Sequence, residues 1–168
     1  MLMSEHTVLA DGAILRRAHP NDLPEILRRI SDLAAYEREP DAVETTVDDL
    51  DAALFGPEPA VFAHVVEAGG RIAGIAVWFL NFSTWTGKHG IYLEDLYVDP
   101  ASRGSGYGAA LLRELARICE VNGYQRIDWS VLKWNEPAIG FYESIGAVPM
   151  DEWVGYRLSD AALKALGG

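Results

Sequence analysis

YLEDLYVDPASRGSGYG, residues 92–108, reads as a strand that runs into an anion-binding turn and then a helix. Along a strand side chains alternate, which puts Tyr92, Glu94, Leu96 and Val98 on one face and Leu93, Asp95 and Tyr97 on the other. Asp99-Pro100 stops the ladder, because proline brings no N–H. Arg103-Gly104-Ser105-Gly106-Tyr107-Gly108 follows, then an amphipathic helix. Alternating glycines let a backbone approach a bulky anion, and a helix start offers oriented N–H groups at a positive dipole end. One strand therefore carries carboxylates and delivers the chain into a phosphate cradle, the layout of an enzyme with a phosphorylated cofactor.

Working outward, 168 residues with 49% hydrophobic and 23% charged side chains describe one soluble globular domain, residues 13–168, after a loose lead-in over residues 1–12. The formal charge is −11, from 25 acidic against 14 basic residues. That balance excludes a nucleic-acid binder, which needs a basic stripe, and suits a cationic substrate. The N-terminus has no basic start followed by an apolar block, and the longest apolar run, residues 72–80, is too short for a bilayer. With a single cysteine, Cys119, inside a helical apolar pattern, a cytoplasmic location is expected.

Upstream, residues 13–18 read as a strand. A helix capped by Asn21 or Asp22 runs to about Tyr36, with Leu23, Leu27, Ile30 and Ala34 as its buried stripe. Thr46 with Asp49 caps a second helix over residues 47–55, ended by Gly56-Pro57. Residues 60–67 and 71–82 form a hairpin across Ala68-Gly69-Gly70, and residues 83–90 make a polar loop with Trp85 embedded. Downstream, Leu111, Leu112, Leu115, Ile118 and Cys119 line the helix after the glycine turn, and Asn122-Gly123 ends it. Residues 125–132 read as a strand. Asn135-Glu136-Pro137 starts a short helix through Phe141-Tyr142, two strands follow over residues 147–150 and 153–158, and Ser159 caps a last helix.

The glycine spacing fits neither GxGxxG nor a Walker loop. Arg103-x-x-Gly106-x-Gly108 instead resembles the acyl-CoA pyrophosphate signature of the GNAT superfamily of N-acetyltransferases. Ala35-Tyr36-Glu37, Trp85-x-Gly87-Lys88, Tyr92-Leu93-Glu94-Asp95 and Trp134-Asn135-Glu136-Pro137 extend the likeness over about residues 13–160, toward the diamine (spermidine/spermine) acetyltransferases. The resemblance implies an α/β fold: a mixed sheet of about six or seven strands, splayed to admit acyl-CoA and flanked by about four helices. It implies that acetyl-CoA is held by Leu96, Tyr97 and Val98 along its arm and by Arg103, Gly104, Ser105, Gly106, Tyr107, Gly108 and Ala109 at its pyrophosphate. Asn135, Glu136, Pro137 and Tyr142 complete that set.

The same resemblance assigns amine-side catalysis to Glu94 and the proton donor to Tyr142, with Tyr36, Glu37, Thr84, Trp85, Glu94, Asp95 and Glu152 on the substrate side. A buried-strand carboxylate needs a reason to be there, and a phenol can protonate a thiolate without being ionised at rest. The four histidines show no metal-ligand spacing, so no metal is expected. A homodimer is implied. Ser83-Thr84 and Trp153-Val154 replace acidic positions of the diamine enzymes, which leaves open a thialysine-like amino acid, a protein or peptide N-terminus, or a non-catalytic acyl-CoA module.

Overall fold

The computed structural model describes residues 6–168. They fall into two compact units, a first ending at Ser130 and a second, Val131–Gly168. In the first unit a six-stranded sheet runs β1 (His6–Val8), β2 (Ile14–Arg17), β3 (Phe62–Ala68), β4 (Arg71–Ser83), β5 (Lys88–Val98) and β6 (Ile127–Asp128), each beside its neighbour in chain order. The first five strands pair antiparallel and β6 pairs parallel to β5. That mixed sheet carries α1 (Leu23–Tyr36), α2 (Val47–Phe55) and α3 (Tyr107–Asn122) in this unit; α4 (Glu136–Ser144) and α5 (Asp160–Gly167) belong to the second.

Local chemistry accounts for several of these elements. Thr46 accepts from the Asp49 N–H while Asp49 accepts from the Thr46 N–H, a reciprocal cap that starts α2 at the expected residue. Gly123 in the left-handed region closes α3, its N–H on the Cys119 carbonyl. The glycine pair Gly69-Gly70, both at positive φ, turns β3 into β4. Ile26, Leu50, Leu54, Val65, Ile75 and Val77 form the core under α1 and α2. On the other face Gly74 leaves room for Leu111 of α3, and all five apolar residues expected on α3 are buried.

Several expectations change. Residues 6–8, expected within a loose lead-in, form β1 against Ile14–Arg16. The fully buried positions of α1 are Leu23, Ile26 and Arg29, with Leu27 and Ile30 only partly covered, so the stripe is rotated toward an arginine. Strict alternation along β5 fails: Trp78 pairs with Leu93 and Val77 with Asp95, leaving Glu94 as an extra, unpaired residue. This β-bulge moves Asp95 and Tyr97 onto the face of Tyr92, and Leu96 and Val98 onto that of Leu93. The strand expected over residues 125–132 shrinks to Ile127–Asp128. Residues 147–150 and 153–158 form no strand, since alternation without a ladder partner does not make one.

Candidate active site

The site starts from what limits the β5–β6 ladder. Parallel pairing registers only Ile91 with Ile127 and Tyr92 with Asp128. Beyond Tyr92 the β6-facing edge of β5 has no strand partner among the described residues, an interruption that comes earlier than the expected Leu96. An open edge offers N–H and C=O groups to an amide-bearing ligand as another strand would. Leu96, Tyr97 and Val98 lie on that segment, Tyr97 buried and its two neighbours half-buried.

The chain leaves β5 through a short 3₁₀ turn, Pro100–Ser102, and Gly104 and Gly106 both take left-handed φ values of 85° and 79°. Those angles need glycine. A Cβ on either glycine would meet nothing within 4 Å, so the turn presents open space above its backbone. The first helical bond of α3 runs from the Ala110 N–H to the Gly106 carbonyl, which leaves the N–H groups of Tyr107, Gly108 and Ala109 without intrahelical acceptors. Exposed N–H groups, a dipole end and Arg103 fit the pyrophosphate of an acyl-CoA. The Tyr107 side chain turns away from this role: it is buried and donates to Asp11 at 2.5 Å. That bond lowers the Asp11 carboxyl and raises the Tyr107 phenol.

The expected substrate-side residues divide. Tyr36 ends α1 and Glu37 follows it, while Arg103 lies over the Tyr36 ring at 5.1 Å and over the Tyr97 ring at 6.0 Å from the centroids. Burial, then the nearby charges of Glu94 and Glu37, pushes the Asp95 carboxyl up to about 6, and burial raises Glu37. Tyr36, Glu37, Asp95, Tyr97 and Arg103 are thus one neighbourhood. Glu94 is exposed at the bulge, and Thr84 and Trp85 sit in the β4–β5 turn with Trp85 89% exposed. In the second unit Asn135 occupies the N-cap position of α4 without a side-chain capping bond, Glu136 and Pro137 fill the first turn, and Tyr142 packs near Phe141 at 5.7 Å between centroids. Glu152 is exposed in the same unit.

The raised Asp95 has a consequence for stability. Its ordinary value of 3.8 becomes about 6 in the fold, so the folded chain binds a proton that the unfolded chain releases. Stability therefore falls as pH rises from about 4 to 6 and stays lower above that. Asp95→Asn is expected to stabilise the protein at pH 7.5 by roughly 1–3 kcal/mol, with a gain that disappears at pH 4. Urea unfolding at the two pH values tests it, and an equal effect at both would refute it. A group kept at such a cost is of the kind found at functional sites.

Sequence reasoning missed the bulge at Glu94, the buried Arg29 and the Asp11–Tyr107 bond. The one legible signal was Arg29 itself, three residues after Ile26 on the apolar side of α1. Among the described residues no group of three His, Cys, Asp or Glu is arranged to hold a metal ion, and no helix is long and apolar enough to cross a membrane.

Residues 24–147 match the Acetyltransferase (GNAT) family. Thialysine N-epsilon-acetyltransferase of Sus scrofa is 33% identical over 168 residues, covering 94% of this chain and 98% of that protein. Spermidine/spermine N(1)-acetyltransferase-like protein 1 of Homo sapiens is 36% identical over 151 residues, 86% of this chain and 22% of that longer protein. Among solved structures, an integron cassette protein from V. cholerae superposes with a TM-score of 0.77 at 26% identity, over 92% of this chain and 96% of that one. With the glycine cradle and the parted strands already in place, these likenesses show that the chain belongs to the GNAT family of acetyltransferases.

Proposed function

We propose that this protein moves an acetyl group from acetyl-CoA directly to a primary amine of a small cationic substrate, a polyamine or diamine, with residues 13–168 acting as one catalytic domain. The observation that carries the substrate side is the cluster of Glu37, Glu94 and Asp95, close enough for Glu37 and Glu94 to shift Asp95. Three mutually repelling carboxylates are relieved by a cation, and a second ammonium relieves them further. A thialysine-like amino acid, bearing one side-chain amine, is the second reading, supported by the likeness to thialysine N-epsilon-acetyltransferases.

When bound, acetyl-CoA supplies an acetyl thioester. Arg103 and the N–H groups from Gly104 to Ala109 hold its pyrophosphate, and the open β5 edge at Leu96–Val98 orients its arm. Asn135, Glu136 and Pro137 support it from the start of α4. A free ammonium has a pKa of ~10.4, so releasing its proton near neutral pH costs roughly 4–5 kcal/mol. Glu94, directly or through water, takes that proton, while Asp95 and Glu37 attract the cation. Tyr142 gives a proton to the departing sulfur. Cys119 takes no part as a nucleophile: it is buried, and burial pushes its thiol up.

Thr84, Trp85 and Glu152 complete the substrate side in this reading. A homodimer is part of it, supported by the exposed Val148, Trp153 and Tyr156 of the second unit. So is a cytoplasmic location, supported by one free, buried cysteine.

A panel of diamines, amino acids and peptides, assayed with acetyl-CoA by release of free thiol, tests the reaction. Turnover of peptides alone would overturn the small-amine reading. Glu37→Gln is expected to raise the KM for diamines about tenfold while leaving monoamines within twofold, as one lost charge–charge contact in a partly buried site is worth on the order of 1–2 kcal/mol. An unchanged preference would remove Glu37 from recognition of a second ammonium.

A further inference from the structure

A buried arginine on α1 has no part in the chemistry above. Arg29 is only 3% exposed, and a guanidinium in that position must be fully paired. Its Nε donates to the Ile72 carbonyl at 2.8 Å, one terminal nitrogen to Asp32 at 3.0 Å and the other to Asp99 at 3.3 Å. Arg71 donates to the same Asp99 oxygen at 2.9 Å. Asp99 is the hinge between sheet and loop. Its N–H reaches the Ala73 carbonyl at 2.8 Å, its carbonyl accepts from the Ser102 N–H at 2.8 Å, and its second carboxylate oxygen accepts from the Ala101 N–H at 3.3 Å.

The far end of the loop is tied in a similar way. Tyr107, the first residue of α3, donates its hydroxyl to Asp11, and the other Asp11 oxygen accepts from the Ala13 N–H at 3.0 Å. Asp11 thus links the turn before β2 to the helix start. Between the two ties the loop has one internal support, the Ser105 N–H on the Ser102 carbonyl at 3.2 Å, and two left-handed glycines. A segment with so few bonds of its own is set by its ends.

We infer that Arg29, through Asp99, and Asp11, through Tyr107, are positioning residues that preset the Asp99–Tyr107 loop for the pyrophosphate of its cofactor. This rests on the assignment of that loop to acetyl-CoA. Both ties use carboxylates, which would repel a phosphate if bare. Asp99 is neutralised by two guanidiniums, and Asp11 has its charge turned onto a phenol and a backbone N–H. Presetting matters because a loop ordered before binding does not spend interaction energy on being ordered. Arg29 reaches Ile72 and Asp99 together, so it fixes the loop relative to the start of β4, to which Glu25 is also bonded through the Ile72 N–H at 2.7 Å.

The test compares two ligands, acetyl-CoA and S-acetylpantetheine, which keeps the thioester arm and lacks the pyrophosphate and nucleotide. Arg29→Lys, Asp99→Asn and Asp11→Asn are measured for dissociation constants by calorimetry, for kcat and KM, and for melting temperature. For each variant acetyl-CoA is expected to bind about tenfold more weakly, S-acetylpantetheine within twofold of wild type, and the loss to fall mainly in the KM for acetyl-CoA. Equal weakening of both ligands, or of neither, would overturn the inference. If Arg29→Lys fails to fold, Asp11→Asn in its exposed turn still gives the answer. Wild-type protein that binds the two ligands equally tightly would instead sink the pyrophosphate assignment itself.

Discussion

Tyr142→Phe is expected to lower kcat by about a hundredfold while leaving the dissociation constant for acetyl-CoA within threefold. A positioned general acid contributes ~10²–10⁴ in rate, and the lower end applies here. A phenol near 10 protonates a thiolate of about 8.5 against a gradient of roughly 2 kcal/mol. Much of the benefit is therefore a strong hydrogen bond to developing negative charge, completed by proton transfer late in the step. Two measurements separate this from a packing role. The wild-type rate should decline only near the ionisation of the phenol, and that alkaline limb should vanish in the phenylalanine variant. Turnover within threefold of wild type would remove Tyr142 from the chemistry and leave the sulfur to be protonated by solvent.

The second large effect is on stability. His64 is 2% exposed on β3, and its Nδ1 accepts from the Trp78 indole N–H at 3.1 Å. Burial, aided by the charge of Arg17, pulls the imidazole down from 6.5 to about 4. Only a neutral ring can accept that bond. The unfolded chain takes up a proton below pH 6.5 that the folded chain refuses until about pH 4, so stability is full above 6.5 and is lost across that window. The loss amounts to roughly 3 kcal/mol, a large part of the 5–15 kcal/mol typical of a domain. His64→Gln keeps an acceptor for Trp78 without titrating, and should flatten the decline.

Asp95 works in the opposite direction between pH 4 and 6, so the wild-type profile is flatter than either group alone would make it. The clean comparison is therefore Asp95→Asn against the Asp95→Asn, His64→Gln double variant, by urea unfolding at pH 7.5, 6, 5 and 4. A slope unchanged by the second substitution would show that His64 is not the titrating group. Asp11, Asp22 and Asp49 are held below their ordinary value by hydrogen bonds, and their stabilisation is lost only below about pH 4, outside this window.

Most of the cofactor half of the site was legible along the chain because its causes are local. Three glycines beside one arginine need only their own backbone angles to form a cradle, and Gly104 and Gly106 adopt the left-handed conformation that their placement required. Thr46 and Asp49, three residues apart, cap α2 between themselves. The Gly69-Gly70 turn and the Gly123 stop are of the same kind. Each depends on atoms within a few residues, so composition and spacing were enough.

What residues 92–108 could not reveal is how β5 behaves against strands distant in sequence. Whether Glu94 pairs or bulges is settled by register with Val77 and Trp78, and that register inverted the expected faces for Asp95 and Tyr97. Asp95 consequently shares a neighbourhood with Glu37, 58 residues earlier, and acquires its raised pKa there. Residues 125–132 and 147–158 carry strand-like alternation, yet a strand exists only where a partner supplies hydrogen bonds, and only Ile127–Asp128 finds one. Arg29 looked like one more helical surface charge until Ile72 and Asp99 closed around it. Conformation that a residue chooses with its neighbours is written in the chain. Pairing, burial and the charge state that burial imposes depend on residues brought close by folding, and these placed the carboxylates.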